Sequence, residues 1–312
     1  MKKPGMAIWM VAVALLTAAP AIAQSGQGGG QGRAVVTVLA KHQGDTAAQV
    51  SAQELSLKVN GKESSVTSWA PLGSAGERLE LVVLIDSSAR NLGRQFDEIK
   101  QFVQSLPPHT KIGIGYMENG RAALSGPLST DHAQVLRGLH LPAGASASPY
   151  FCLSDLAQHW PSGERRTRRE VVLVTDGIDP YNPRFDPDDP YVQAAINDSV
   201  RAGLVVYTIF WNGRYGISDN SMVVVGAQSL MSEVTQATGG NSYGSGISNA
   251  VSFQPFFEDL ARRLENQYEL SFSARLDRKP AIESLKLKVG GLAVEVDAPQ
   301  QVFVDRAGAA GE

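Results

Sequence analysis

Three short segments, LELVVLID (79–86), EVVLVTD (170–176) and LVVYTIF (204–210), are almost wholly apolar and rich in β-branched residues. Runs of this length without polar alternation fit strands covered on both faces, and such strands belong to sheets with helices above and below. KIGIGYM (111–117) reads as a further strand. Between these runs the period changes to a helical one. Leu92, Phe96, Ile99, Phe102, Val103 and Leu106 follow helical spacing until Pro107-Pro108 stops the element. YVQAAINDSVRAG (191–203) reads as a helix closed by Gly203, and Phe253, Phe256, Phe257, Leu260, Ala261 and Leu264 share one face of a last helix. Strands alternating with helices over 79–265 predict a doubly wound, mainly parallel α/β sheet with right-handed crossovers.

The flanks read differently. In residues 34–72, AVVTVLA is β-branched, and LSLKVNGKESSV alternates around Asn60-Gly61, a dipeptide suited to a tight hairpin. In residues 267–306, LKLKV and LAVEV flank Gly290-Gly291 in the same manner and predict a second hairpin. One hairpin alone is marginal in water, so the two terminal segments are expected to pair into a small β module that brings the chain ends together.

The first 23 residues carry Lys2 and Lys3, an apolar run from Met6 to Ala18, and Ala21-Ile22-Ala23, the small-x-small pattern of a signal-peptidase site. The run is shorter than the ~20 residues a membrane span requires, so the segment is expected to be a cleaved export signal with no transmembrane span left behind. Residues 24–33, QSGQGGGQGR, read as a flexible tether. The protein is expected to be secreted or periplasmic.

Lys plus Arg number 28 against 31 Asp plus Glu, and no long basic stretch exists to neutralise a row of phosphates, which argues against nucleic acid as a partner. The single cysteine, Cys152, excludes an intramolecular disulfide and sits in an apolar context that suggests a buried side chain. Five histidines show no tight ligand spacing, which disfavours a zinc enzyme. There is no G-x-S-x-G elbow and no P-loop, and nothing assembles a catalytic centre.

The strongest functional signal is that two of the apolar strands stop at a carboxylate, in IDSSAR (85–90) and VTDGID (174–179). In a sheet of this kind ligands sit outside the carboxyl ends of the strands, which is where Asp86 and Asp176 fall. The loop DPYNPRFDPDDP (179–190) follows on the same rim and reads as a proline-stiffened solvated loop, with Tyr181, Tyr191 and Trp211 as a candidate exposed aromatic patch. ERRTRRE (164–170) reads as a solvated loop.

LVVLIDSSAR, VVLVTDG and TGGNSYG together resemble the first strand, fourth strand and late segment of a von Willebrand factor A-type domain, over roughly 79–265. With the flanking β segments, SPYFCLSDL, RREVVLVTDGIDPY and NQYELSF are similar to exported VWFA-related proteins described from acidobacteria. The resemblance implies a cell-adhesion type of module in which a divalent cation, Mg²⁺, is held by Asp86, Ser88 and Asp176 and accepts an acidic side chain from a protein partner. Arg90 stands where the family has a second serine, and a guanidinium cannot ligate a cation. The family's second-loop threonine is not evident, with Ser146, Ser148 and Ser154 as candidates.

The expectation is therefore a non-enzymatic protein-binding module with a degenerate metal-ion-dependent adhesion site. Asp86, Ser88 and Asp176 are its metal residues, and Arg90, Ser148, Asp179 and Tyr181 its partner-binding residues. The alternative is a metal-free structural or assembly scaffold in which Arg90 supplies the positive charge. A hydrolase that uses the rim cation to activate water is a third reading, and it has no candidate base.

Overall fold

The structure, a computed structural model, describes residues 29–42, 45–46, 48–72, 78–143, 147–164, 167–213, 221–276, 279–291 and 293–306. The export-signal reading of residues 1–23 lies outside them. Among the described residues the chain forms two sheets.

The first sheet is built from the two ends of the chain. It contains β1 (Gly29–Ala40), β2 (Leu55–Val59), β3 (Lys62–Pro71), β10 (Gln267–Arg275), β11 (Ala281–Val289), β12 (Val294–Asp297) and β13 (Gln301–Arg306), as numbered along the whole chain. The order is β10-β3-β2-β11-β13-β1-β12, and β1 pairs back onto β10, so six antiparallel strands close into a barrel with β12 added beside β1. The second sheet has the order β6-β5-β4-β7-β8-β9. Its strands are β4 (Leu79–Ile85), β5 (Lys111–Glu118), β6 (Arg121–Leu124), β7 (Arg168–Thr175), β8 (Leu204–Phe210) and β9 (Ser242–Tyr243). All its pairings are parallel except that of β6, which runs antiparallel to β5.

The helices are α1 (Arg94–Ser105), α2 (His132–Leu136), α3 (Pro149–Gln158), α4 (Pro190–Ala202), α5 (Ser221–Thr238) and α6 (Gln254–Glu265). Ile99 and Phe102 of α1 and Phe257 and Leu260 of α6 pack on one face of the mixed sheet, and Leu153 of α3, Ile196 of α4 and Met231 of α5 on the other. A separate apolar core, including Val36, Leu57, Leu270, Phe272 and Val304, fills the barrel.

The expected fold class, a doubly wound mainly parallel sheet with a small β module, is overturned. The larger of the two sheets is a closed antiparallel barrel, and the other is mixed. Closure removes the exposed edges that two separate hairpins would leave unpaired. The hairpin at Asn60-Gly61 forms, with Val59 opposite Lys62 and both turn residues at positive φ, 49° and 71°. The second expected hairpin does not form. β11 pairs with β2 and β13, while β12 lies beside β1.

The tether expected over 24–33 ends early, since Gly29–Arg33 open β1. A Cβ on Gly30 would lie 2.5 Å from Val304 Cγ1, and one on Gly32 2.9 Å from the Phe303 carbonyl oxygen. The glycines there allow close approach inside a closed barrel. The basic run 164–170 is also corrected. Arg168 and Glu170 open β7, and Glu170 is fully buried.

Candidate functional site

β4 and β7 lie side by side, parallel, with Ile85 opposite Val174. The register brings the residues after each strand to one edge, and the Asp86 backbone N–H donates to the Val174 carbonyl at 2.9 Å. Asp86 and Asp176 are both buried.

Three hydroxyls surround the Asp86 carboxylate. Ser87 Oγ donates to Oδ1 at 3.1 Å, and Ser88 Oγ and Thr175 Oγ1 donate to Oδ2 at 3.1 and 2.9 Å. Ser88 Oγ also accepts from the Asp176 backbone N–H at 3.1 Å, so one side chain joins both strand ends. Asp176 Oδ1 accepts from the Ile178 N–H at 2.9 Å, and Thr175 Oγ1 accepts from the Gly177 N–H at 3.0 Å. Gly177 sits at φ 74°, a conformation a side chain rarely adopts, and this shapes the turn after the carboxylate.

Ser148 and Asp179 form a second buried group. Ser148 N-caps α3, accepting from the Phe151 N–H at 3.3 Å and donating to Asp179 Oδ2 at 2.9 Å. Asp179 Oδ1 accepts from the Tyr181 N–H at 2.9 Å. Of the three serines offered for the second loop, Ser148 is thus the one tied to the acidic segment that follows β7. Ser154, further along α3, donates to Asp198 Oδ2 at 2.5 Å instead, and Ser146 lies outside the described residues.

Cys152, one turn into α3, is buried as expected. Burial pushes its thiol up to about 12, and the negative charges of Asp86, Asp155 and Asp179 add to this. It is an inert packing residue rather than a nucleophile.

Arg90 is exposed, and its Nε donates to the Ser87 carbonyl at 3.0 Å. Tyr181 is exposed and leans on Phe151, with ring centroids 5.2 Å apart. Tyr191 meets the same Phe151 edge-on at 4.3 Å. Trp211 does not belong to this exposed patch. It is buried, donates from Nε1 to Asn91 Oδ1 at 2.8 Å and packs edge-on against Phe253. The loop after Asp179 is held by its own side chains, with Asn182 Oδ1 accepting from the Asp186 N–H at 3.0 Å and Asp189 capping α4.

The donor set at this edge is made of carboxylate and hydroxyl oxygens, the hard ligands that suit Mg²⁺. Among the described residues no group of three or more His, Cys, Asp and Glu side chains is placed to hold a metal, so a cation here depends on serine and threonine hydroxyls as well as on the aspartates. Thr175 was not singled out from the sequence, where it reads as the last residue of a buried strand. Its signal was that it is the one polar side chain in VVLVT.

No family model matches the chain, and no curated protein matches it. Solved structures with similar arrangements include an aerotolerance-related membrane protein from Bacteroides fragilis, 14% identical, with 60% of this chain and 98% of that chain covered and a TM-score of 0.43. BatB from Bacteroides thetaiotaomicron is 12% identical, covering 60% of this chain and 97% of that chain with a TM-score of 0.42. The vWF domain of the type V pili tip protein Mfa5 from Porphyromonas gingivalis is 10% identical, covering 61% and 95% with a TM-score of 0.43. At these scores the likeness does not extend to function, and what the site can do follows from its own geometry.

Proposed function

We propose that the protein is an exported, non-enzymatic binding module of the A type, engaging a protein partner through the edge where β4 and β7 end. The observation that carries this reading is the coincidence, on that one edge, of the buried oxygen cluster and six of the seven exposed large apolar side chains among the described residues, the seventh being Leu141 between α2 and α3. Tyr181 and Tyr191, 65% and 48% exposed, stand between β7 and the first turn of α4. Met222 and Val225 stand in the first turns of α5 after β8, and Ile247 and Val251 in the connection from β9 to α6. All six lie on connections leaving the carboxyl ends of β7, β8 and β9. A contiguous patch of exposed apolar side chains marks an interaction surface, and we take these six to form one.

Asp86, Ser88 and Asp176, all buried, would hold Mg²⁺ beneath the edge from which these connections leave. When bound, the cation supplies a Lewis-acid position for a partner carboxylate. Asp86 and Asp176 contribute charge, Ser87 and Thr175 orient the Asp86 carboxylate, and Ser148 with Asp179 fixes the neighbouring loop. No described helix is long and apolar enough to cross a membrane, and export rests on the first 23 residues. The similarity to exported acidobacterial VWFA-related proteins is part of the same proposal.

The competing reading is a metal-free scaffold, favoured by the guanidinium of Arg90 on the Ser87 carbonyl beside Asp86. Isothermal titration with Mg²⁺ and Mn²⁺ separates the two. Binding heat that disappears in Asp176→Asn supports the cation site. A folded protein that shows neither heat nor thermal shift rejects it in favour of the scaffold.

A further inference from the structure

At the opposite edge of the mixed sheet, the amino ends of β7 and β8 face the barrel across a cleft of about 790 Å³. Clefts of roughly 300–1,000 Å³ accommodate small organic ligands. Val35 of β1, Val200 of α4, Val205 of β8 and Phe303 of β13 line it, and Val35 and Phe303 are only half-buried. Five arginines line it against two glutamates, Glu164 and Glu269.

The glutamates are already committed. Glu164 accepts from Lys111 Nζ at 2.9 Å and Arg78 at 2.6 Å, and these two cations hold its carboxyl down at about 2. Glu269 lies 3.9 Å from Arg33. Arg169 and Arg201 form no ion pair within 4 Å among the described residues, although the buried Glu80 carboxylate acts on Arg169 from beyond that distance. Arg169 donates to the carbonyls of Ser162 and Glu164 at 3.2 and 3.1 Å and lies 5.6 Å from the Trp160 ring. Arg201 lies 5.1 Å above the Phe303 ring. Arg169 is opposite Leu204, three residues past Arg201, and both arginines line the same cleft. Arg168, whose side chain is 8% exposed, donates to the Leu264 carbonyl at 2.8 Å. Its buried Nε has no hydrogen-bond acceptor, with Glu170 Oε1 at 3.6 Å.

We propose that this cleft binds an amphiphilic anion, with its phosphate or carboxylate headgroup on the wall formed by Arg169 and Arg201 and its apolar body against Val35, Val205 and Phe303. Guanidinium forks match the oxygens of both headgroups, and a half-buried apolar wall beside them favours a ligand with a hydrocarbon portion over a bare ion. The site is independent of the Asp86 rim, which lies at the other end of the strands.

The test is calorimetric titration of the chain with dodecyl phosphate below its micelle concentration, with inorganic phosphate and dodecyl maltoside as separate arms. The expected result is saturable one-site binding of dodecyl phosphate, weakened at least tenfold in Arg201→Gln and in Arg169→Gln, with much weaker binding of the other two probes. Arg201 is exposed on the last turn of α4, so its variant keeps the fold, which thermal melting verifies. Absence of dodecyl phosphate binding, or unchanged affinity in Arg201→Gln, overturns the site. Equal affinity for inorganic phosphate overturns the amphiphilic ligand in favour of a free anion, and equal affinity for dodecyl maltoside overturns the role of the arginines.

Discussion

Ser88 Oγ lies 3.1 Å from the backbone nitrogen of Asp176 while donating to Asp86 Oδ2 at the same distance. A single hydroxyl thus connects the ends of two neighbouring strands that are 88 residues apart in sequence. It also fixes which way the Asp86 carboxylate turns.

Ser88→Ala removes a donor from one buried group and an acceptor from another. The expected cost is about 1–3 kcal/mol, because both partners stay buried with one bond fewer. Urea denaturation measures it. Ser88→Thr, which keeps the hydroxyl, is expected to recover most of the loss, whereas equal destabilisation by both variants would point to crowding rather than to the lost bonds.

The α1–α6 contact gives the protein an acid-sensitive element. Burial opposes ionisation of Glu98, yet hydrogen bonds from Ser252 Oγ at 2.7 Å, the Phe253 N–H at 2.6 Å and Arg94 Nε at 3.0 Å outweigh it and hold the carboxyl below its ordinary value of 4.5. A depressed carboxylate contributes stability that is fully present above the unfolded value and disappears as pH falls through the folded one. Glu98→Gln is therefore expected to lower stability at neutral pH and to flatten its fall below about pH 4.5. Chemical denaturation across pH 3–7 reads this, and an unchanged acid limb in the variant would exclude Glu98 as its source.

Gly32 tests the barrel. A Cβ there would sit 2.9 Å from the Phe303 carbonyl oxygen and against the Phe272 ring, so Gly32→Ala forces backbone and core apart. Overpacking of this kind costs about 1–3 kcal/mol. A midpoint in urea equal to that of the parent would mean that the β1–β13 seam is open in solution.

The same glycine marks what the sequence could not reveal. QGGGQGR has the composition of a linker, and only contacts with Phe272 and Phe303, distant in the chain, require small residues in that strand. Strand pairing beyond the Asn60-Gly61 turn was equally hidden. Gly290-Gly291 resembles a hairpin turn, but Val294–Asp297 pairs with β1 rather than folding back on β11. The strands ending at Asp86 and Asp176 were legible because a doubly covered strand must be apolar along its whole length, so a terminal carboxylate stands out. Thr175 was not, because a β-branched residue at a strand end fits the strand equally well. The second-loop position could be narrowed to three serines but not assigned to Ser148, since the tie that singles it out is to Asp179, 31 residues away. Helix α5 went unread because SMVVVGAQSLMSEVTQAT is apolar on several sides and carries no sharp stripe.

The apolar collar yields the last prediction. Ile247 and Val251 are 58% and 80% exposed, so replacing both with serine removes contact surface without opening a cavity. Substitutions of this kind usually stay within about 0.5 kcal/mol of the parent in stability. If the edge formed by β7, β8 and β9 docks a partner, the double variant keeps its melting temperature and its Mg²⁺ titration but loses most of the chelator-sensitive capture of envelope proteins. The two readouts fail separately. Capture that survives the double variant but not chelator would confine recognition to the oxygen cluster. Capture that survives both would move the partner surface away from this edge, because neither the cation nor the apolar side chains around it would then contribute to the affinity.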